Sequence, residues 1–180
     1  MVPARIKALF RRQRIRDLTA LADFVRTQAA QVAQVSILGY LRARMGTQWP
    51  TYFEDPAFAP EIERATRDGF RICAADLAVF AAAELGVGPD VARWIFAAVV
   101  EEAPSELPAP QDKDFSNSDS AFDTSIETLI DTIPVIADFR DQDREGFENA
   151  LRLRWSEVRR QFRKSVDRTA LAATVRDLNV

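Results

Sequence analysis

The sequence predicts an all-α fold: a single-domain helical bundle of five to six helices with a long first helix. Apolar side chains recur at intervals of three, four and seven residues along most of the chain, which is the period of a helix with one buried face. No segment alternates apolar and polar side chains between glycine-rich turns, as strands do. Since 180 residues suffice for one core and are too few to expect two domains, we expect one helical domain over residues 1–180.

The first predicted helix covers about residues 16–45. Asp17 stands at its start, and Gly46 follows its last apolar position as a C-terminal stop. Its apolar positions keep the helical period: Leu18, Leu21, Val25, Val32, Val35, Leu38, Leu41 and Met45.

Two further helices are predicted next to each other in the chain. The second runs from Pro60, which suits a first helical turn, to Leu85, and Gly86 can take the left-handed cap. The third opens at Gly88-Pro89-Asp90 and ends before Pro104. Because the turn between them is very short, we expect these two helices to be neighbours in space.

The second half of the chain is predicted to hold a loop and two or three helices. Residues 104–120 are rich in Pro, Ser, Asp and Asn, which is typical of an exposed loop. A fourth helix begins near residue 120 and ends or kinks at Pro134. A fifth carries apolar positions from Phe147 to Val166, and a short tail helix holds Leu171 and Val175.

The connector over residues 46–60 combines prolines with four aromatic residues. We interpret it as a loop that packs back on the bundle with Trp49 as its anchor, because an exposed cluster of this kind would favour aggregation. The alternative is a partner-binding surface that includes Tyr52 and Phe53. Arg42 and Arg44 precede the connector, where they could form ion pairs with acids of the loop, Glu54 and Asp55. These candidates for an interaction surface are Arg42, Arg44, Trp49, Tyr52 and Phe53.

Charge is polarised along the chain, although the formal net charge is only −3. Residues 1–16 carry six cations and no acid, and residues 149–180 carry eight cations against three acids. Residues 101–148 carry fourteen acids against three cations, a local net charge of −11. Each charged block is either a solvated helix face or a surface that meets the opposite charge, within one protomer or between two. Because the acidic and basic blocks are complementary, we expect a homodimer.

The basic segment 1–16 has three interpretations. Its apolar positions pack on the bundle or on a second protomer, or the segment lies on an anionic membrane surface, or its arginines contact nucleic acid. We favour packing, with Arg11 and Arg12 as candidate interaction residues, and with a sequence pI near 5.2 we expect no nucleic-acid partner. The segment lacks the apolar block and cleavage site of a signal peptide, and the single Cys73 suits a reducing compartment, so we expect a cytoplasmic protein.

The composition argues against most enzymatic mechanisms. The chain has no His, which removes imidazole as a base, an acid or a metal ligand. Cys73 lies on the face of the second predicted helix that we expect to be buried, where a thiol is unreactive. No glycine-rich phosphate-binding motif and no nucleophile elbow is present. We therefore expect no catalytic residue and no cofactor.

Two acidic groups could still bind a cation. Asp141, Asp143 and Glu145 have the spacing of a calcium loop, but Arg152 occupies the position of the required twelfth ligand. Asp123, Glu127 and Asp131 are spaced by four on one helix face, which is the alternative we keep for a metal site in a Mg²⁺-dependent hydrolase. An acidic face that meets arginines explains this stripe better.

Three segments carry a resemblance that covers roughly the first half of the chain. They are Tyr40-Leu41-Arg42-Ala43-Arg44, the aromatic turn from Tyr52 to Phe58, and Cys73-Ala74-Ala75-Asp76-Leu77. With its basic start, the chain resembles a group of small, uncharacterised helical proteins of bacteria, some of which carry an esterase label. The resemblance implies a bacterial protein of unknown function and supplies no site residues.

These observations favour a non-catalytic scaffold or regulatory protein that acts through contacts with an unknown protein partner, as a homodimer. The alternatives are the carboxylate-based hydrolase and a protein held at a membrane surface by its basic N-terminal helix.

Overall fold

The predicted all-α class is confirmed by the computed structural model of the chain, which describes residues 14–100 and 141–176. The predicted fourth helix, the loop 104–120 and most of the basic segment lie outside these ranges. The described elements are helices α1 (Leu18–Met45), α2 (Ala59–Leu85), α3 (Pro89–Val99), α4 (Asp141–Ser165) and α5 (Arg168–Arg176), and a 3₁₀ helix (Gly46–Glu54) between α1 and α2.

Local chemistry sets the ends of the first three helices. The Asp17 carboxylate accepts a hydrogen bond from the Ala20 N–H at 2.8 Å, which caps α1. Gly86 ends α2 with φ 68° and ψ 31°, in the left-handed region that favours glycine. Gly88 precedes α3, and Pro89 occupies its first turn. These three signals were correctly predicted from the sequence.

The connector contains regular structure, where the sequence predicts a loop. Residues Gly46–Glu54 form a 3₁₀ helix that includes Pro50. Prolines in this connector predict a stiffened loop, but the fixed φ of proline near −65° also suits a 3₁₀ helix. A turn follows, in which Asp55 accepts a hydrogen bond from the Ala57 N–H at 2.9 Å.

The centre of the fold is the second half of α2, where every residue from Arg71 to Ala82 is buried. Helices α1 and α3 pack on α2 and on each other, and α4 packs on α1. Arg26 of α1 also donates a 2.8 Å hydrogen bond to the carbonyl of Ala98 in the last turn of α3. The largest fully buried side chains are Leu21, Leu41, Leu77, Phe80, Ile95, Leu151, Trp155, Phe162 and Leu171. Cys73 belongs to this core, as predicted.

Phe162 of α4 joins three helices. Its ring lies 5.4 Å from the ring of Phe80 in an edge-to-face arrangement and 5.6 Å from the ring of Phe24 on α1. Such aromatic pairs add stability beyond the area that they bury. The contact therefore ties α4 to both α1 and α2.

A short backbone contact holds the segment before α1 against the turn between α4 and α5. Ile15 forms an isolated parallel bridge with Val166. The Ile15 N–H donates to the Ser165 carbonyl at 3.0 Å, and its carbonyl accepts from the Asp167 N–H at 2.9 Å. Since Ile15 is buried, this bridge fixes the start of α1 beside the end of α4.

The alanine-rich faces of α1 and α2 are largely covered within one chain. Ala29 and Ala33 of α1 are buried, and so are the alanines of α2 between Ala74 and Ala82. One chain covers them because small side chains let its helices approach closely. Any interface between protomers therefore needs other residues.

Leu151 and Leu153 provide a matched test of this core, because they lie on opposite faces of α4. Leu151 is 2% exposed and Leu153 is 74% exposed. We expect Leu151→Ala to lower the free energy of unfolding by about 2–5 kcal/mol, since it leaves a cavity, and Leu153→Ala to stay within about 0.5 kcal/mol of the parent. Chemical denaturation of both variants measures the difference, and equal losses would contradict the packing of α4 described here.

Candidate functional site

A groove of about 500 Å³ lies between α1 and the first half of α2. Its walls are mostly apolar, and its volume falls within the range of ligand sites. The lining residues are Ala30, Ala33, Gln34, Ala59, Ile62, Glu63, Thr66, Arg67 and Phe70.

Three of the polar lining residues lie close to a partner within α2. The Thr66 hydroxyl donates to the Ile62 carbonyl at 2.8 Å. Arg67 lies 3.7 Å from the Glu63 carboxylate, measured from nitrogen to oxygen. This arrangement can hold an apolar group and place polar partners beside it, which is the chemistry of binding.

The predicted ion pairs at the end of α1 are not formed by Arg42. It is exposed, and among the residues that the structure describes no ion pair joins it to Glu54 or Asp55. The Asp55 carboxylate instead accepts the amide hydrogen bond of the turn before α2. The turn itself holds the Ala57 N–H next to the Asp55 carboxylate. An exposed arginine would have to lose side-chain rotamer freedom to reach the same carboxylate.

For the other predicted interaction residues, the structure gives the secondary-structure element in which each one lies. Trp49, Tyr52 and Phe53 lie in the 3₁₀ helix, and Arg44 lies in the last turn of α1. The two interpretations of this connector, packing or partner binding, both stay predictions.

Several candidates fall outside the described residues. They are Arg11 and Arg12 of the basic segment and the carboxylates of the alternative metal site, Asp123, Glu127 and Asp131. In residues 14–100 and 141–176, no three acidic or thiol side chains come together as a metal site would require. In the same ranges, no helix has the length and apolar character needed to cross a membrane.

The strongest charge cluster joins the end of α2 to α4 and α5. Both oxygens of Glu84 accept hydrogen bonds, from Arg163 at 2.5 and 3.1 Å and from Arg168 at 2.9 Å. Hydrogen bonding from Arg163, with the positive charges of both arginines, holds the pKa of the Glu84 carboxyl below its ordinary value near 4.5, although burial opposes the shift. Arg163 also lies over the Phe80 ring, 5.8 Å from its centre.

This cluster differs from the pairing that the charge blocks suggested. Arg163 and Arg168 belong to the basic C-terminal block, but their partner Glu84 lies before the acidic stretch 101–148. Of that stretch the structure describes only residues 141–148. The contact of the acidic stretch with arginines stays a prediction.

Sequence reasoning missed the groove and two buried charged residues of α2, Arg71 and Asp76. Asp76 is fully buried. The sequence does not single out Arg71, because Asp68 stands three residues before it, at the same spacing as Glu61 before Arg64. The groove left no sequence signal, since its alanines have the same spacing as a packed helix face.

Comparison with models of known protein families, with curated proteins and with solved structures gave no match to this chain.

Glu84→Gln tests the charge cluster through its pH dependence. Because the pKa of Glu84 is lowered in the folded state, its carboxylate contributes stability at neutral pH that is lost as pH falls through that lowered value. We expect the variant to lose about 1–2 kcal/mol at pH 7, and we expect this difference from the parent to shrink as pH falls through the lowered pKa of Glu84.

The control is Glu157→Gln, which removes a carboxylate bonded only to side chains of its own helix, Arg160 and Gln161. We expect denaturation curves of this variant to follow those of the parent at pH 7. A loss for Glu84→Gln that stays the same over the whole acid range in which the parent remains folded would show that charge is not its cause.

Proposed function

We propose that this chain is a non-catalytic, regulatory interaction protein that receives an apolar helix of a partner protein in the groove between α1 and α2. The observation that carries the proposal is the groove itself. It is mostly apolar, and it lies between two helices of 28 and 27 residues. A groove of this kind can accept the apolar face of an amphipathic helix.

The residues around the groove favour binding over hydrolysis. Among the described residues of its lining, Thr66 is the only one with a hydroxyl, and the bond of this hydroxyl to the Ile62 carbonyl occupies the proton that a nucleophile would give to a base. Glu63, the one carboxylate that the described residues contribute to the lining, lies close to Arg67. The polar residues are therefore suited to the rim of an interface, where Gln34 and Arg67 add specificity at its edge.

The other proposals depend on residues outside the described ranges. The hydrolase needs Asp123, Glu127 and Asp131, and association with a membrane surface needs the basic segment 1–16. The single cysteine supports action in a reducing compartment such as the cytoplasm. No observation in the described part of the chain favours the two alternatives over binding in the groove.

Site-specific photo-crosslinking in the source cell tests the groove. A photoreactive phenylalanine replaces Ala30, which lines the groove, and in a control it replaces the exposed neighbour Gln31, which does not. We expect position 30 to give one dominant protein adduct that position 31 does not give. A filling substitution, Thr66→Phe, should abolish this adduct while the variant melts within a few degrees of the parent.

Other outcomes would contradict the proposal. Equal adducts at positions 30 and 31 would show random encounter, and an adduct that persists in Thr66→Phe would place the contact elsewhere. No adduct at position 30 would mean that the groove receives no protein.

We also propose that the chain forms a homodimer. The opposite charges of residues 101–148 and residues 149–180 support it, because a two-fold interface can set the acidic patch of each protomer against the basic patch of the other. Light scattering at about 100 μM should then give twice 20.2 kDa, since a micromolar Kd would be saturated at that concentration. Added salt should reduce the mass. A mass of 20.2 kDa at low salt up to this concentration would refute the dimer.

A further inference from the structure

Arg71 is a charged residue inside the fold without a counterion in the part of the chain that the structure describes. It is 8% exposed, and its Nε atom is sealed from solvent and makes no hydrogen bond. A buried guanidinium needs acceptors, because its desolvation is costly unless charge and hydrogen bonds compensate for it. An acceptor that is not part of the described chain would supply both.

The pattern of charges along α2 explains why Arg71 differs from the arginines before it. Arg64 pairs with Glu61 and Arg67 faces Glu63, in each case one helical turn away. One turn before and after Arg71 stand a second arginine, Arg67, and small apolar residues, Ala74 and Ala75. The only acid within a turn is Asp68, three residues before Arg71, and no ion pair joins the two.

We propose that Arg67 and Arg71 form a binding site for an oxyanion, the phosphate or carboxylate group of a small ligand. The two arginines lie one turn apart on the same side of α2, so their guanidinium groups can take up one anion together. The nitrogen of Arg67 nearest to Glu63 is 3.7 Å from its oxygen, which is longer than a hydrogen bond, so Arg67 can turn its donors to an anion. This anion site does not depend on the proposal that a protein binds in the groove.

The test uses the whole chain and three simple anions. Inorganic phosphate and acetate are compared with chloride at equal ionic strength, by thermal melts and by NMR of the arginine Nε–H groups. We expect phosphate, acetate or both to raise the melting temperature above that in chloride and to shift the Arg71 signal saturably. Phosphate alone would indicate a phosphoryl ligand, and acetate alone would indicate a carboxylate ligand.

Three variants separate a binding role from a structural one. Arg71→Met should melt in chloride at or above the temperature of the parent, because it removes a buried charge, and should lose the response to the anion. Arg67→Gln should weaken anion binding about tenfold, the effect of one charge-assisted contact. The control Arg64→Gln, an exposed arginine already paired with Glu61, should bind like the parent.

Three results would overturn the site. Equal melting curves and unshifted Arg71 signals in all three salts would show that no oxyanion binds. Unchanged affinity in Arg67→Gln, a variant on the exposed part of α2, would remove the second arginine from the site. A large loss of stability in chloride for both Arg71→Met and Asp68→Asn would identify Asp68 as the structural counterion of Arg71.

Discussion

The described structure depends on the burial of the second half of α2. Twelve consecutive residues, from Arg71 to Ala82, have almost no contact with solvent. A helix that is buried all round cannot be stable alone, because neighbouring elements must cover every face of it. The alanines of this stretch allow that cover, since they let neighbouring helices approach α2 closely.

The end of α2 fixes the C-terminal part of the chain. Phe80 and Glu84 lie one turn apart, and their partners Phe162 and Arg163 are adjacent on α4. The aromatic contact and the ion pair therefore both fix the position of α4 on α2. The aromatic contact does so by packing, and the ion pair does so by the direction of its hydrogen bonds. The bridge between Ile15 and Val166 then brings the start of α1 to the same end of the fold.

The first half of α2 is different, and the proposed functions belong to it. Here the helix has one exposed face, and the groove opens between that half and α1. Arg67 stands at the groove and Arg71 lies where the helix becomes fully buried. A partner helix in the groove and an oxyanion at the arginines would use neighbouring parts of one surface, with apolar contact supplying affinity and the arginines supplying selectivity for charge.

The sequence by itself determined the all-α class and the main signals at the ends of the first three helices. Asp17, Gly86 and Pro89 act through backbone groups within a turn of themselves, and such local chemistry can be predicted without a fold. The helical period also placed Cys73 in the core, because periodicity shows which face is apolar. It could not show that α2 is buried on its remaining faces, since that depends on which helices pack there.

Only the tertiary structure decided the groove, the partner of Arg163 and the burial of Arg71. Glu84 and Arg163 are 79 residues apart in the sequence. Judged by charge alone, many other acids of this chain could have formed the ion pair with Arg163. The alanines of α1 and α2 predicted close approach, and the structure buries most of them within one chain while leaving Ala30 at a groove. The physical reason is common to all three: helix propensity and capping act over a few residues, whereas cavities and long-range ion pairs depend on how whole helices are arranged.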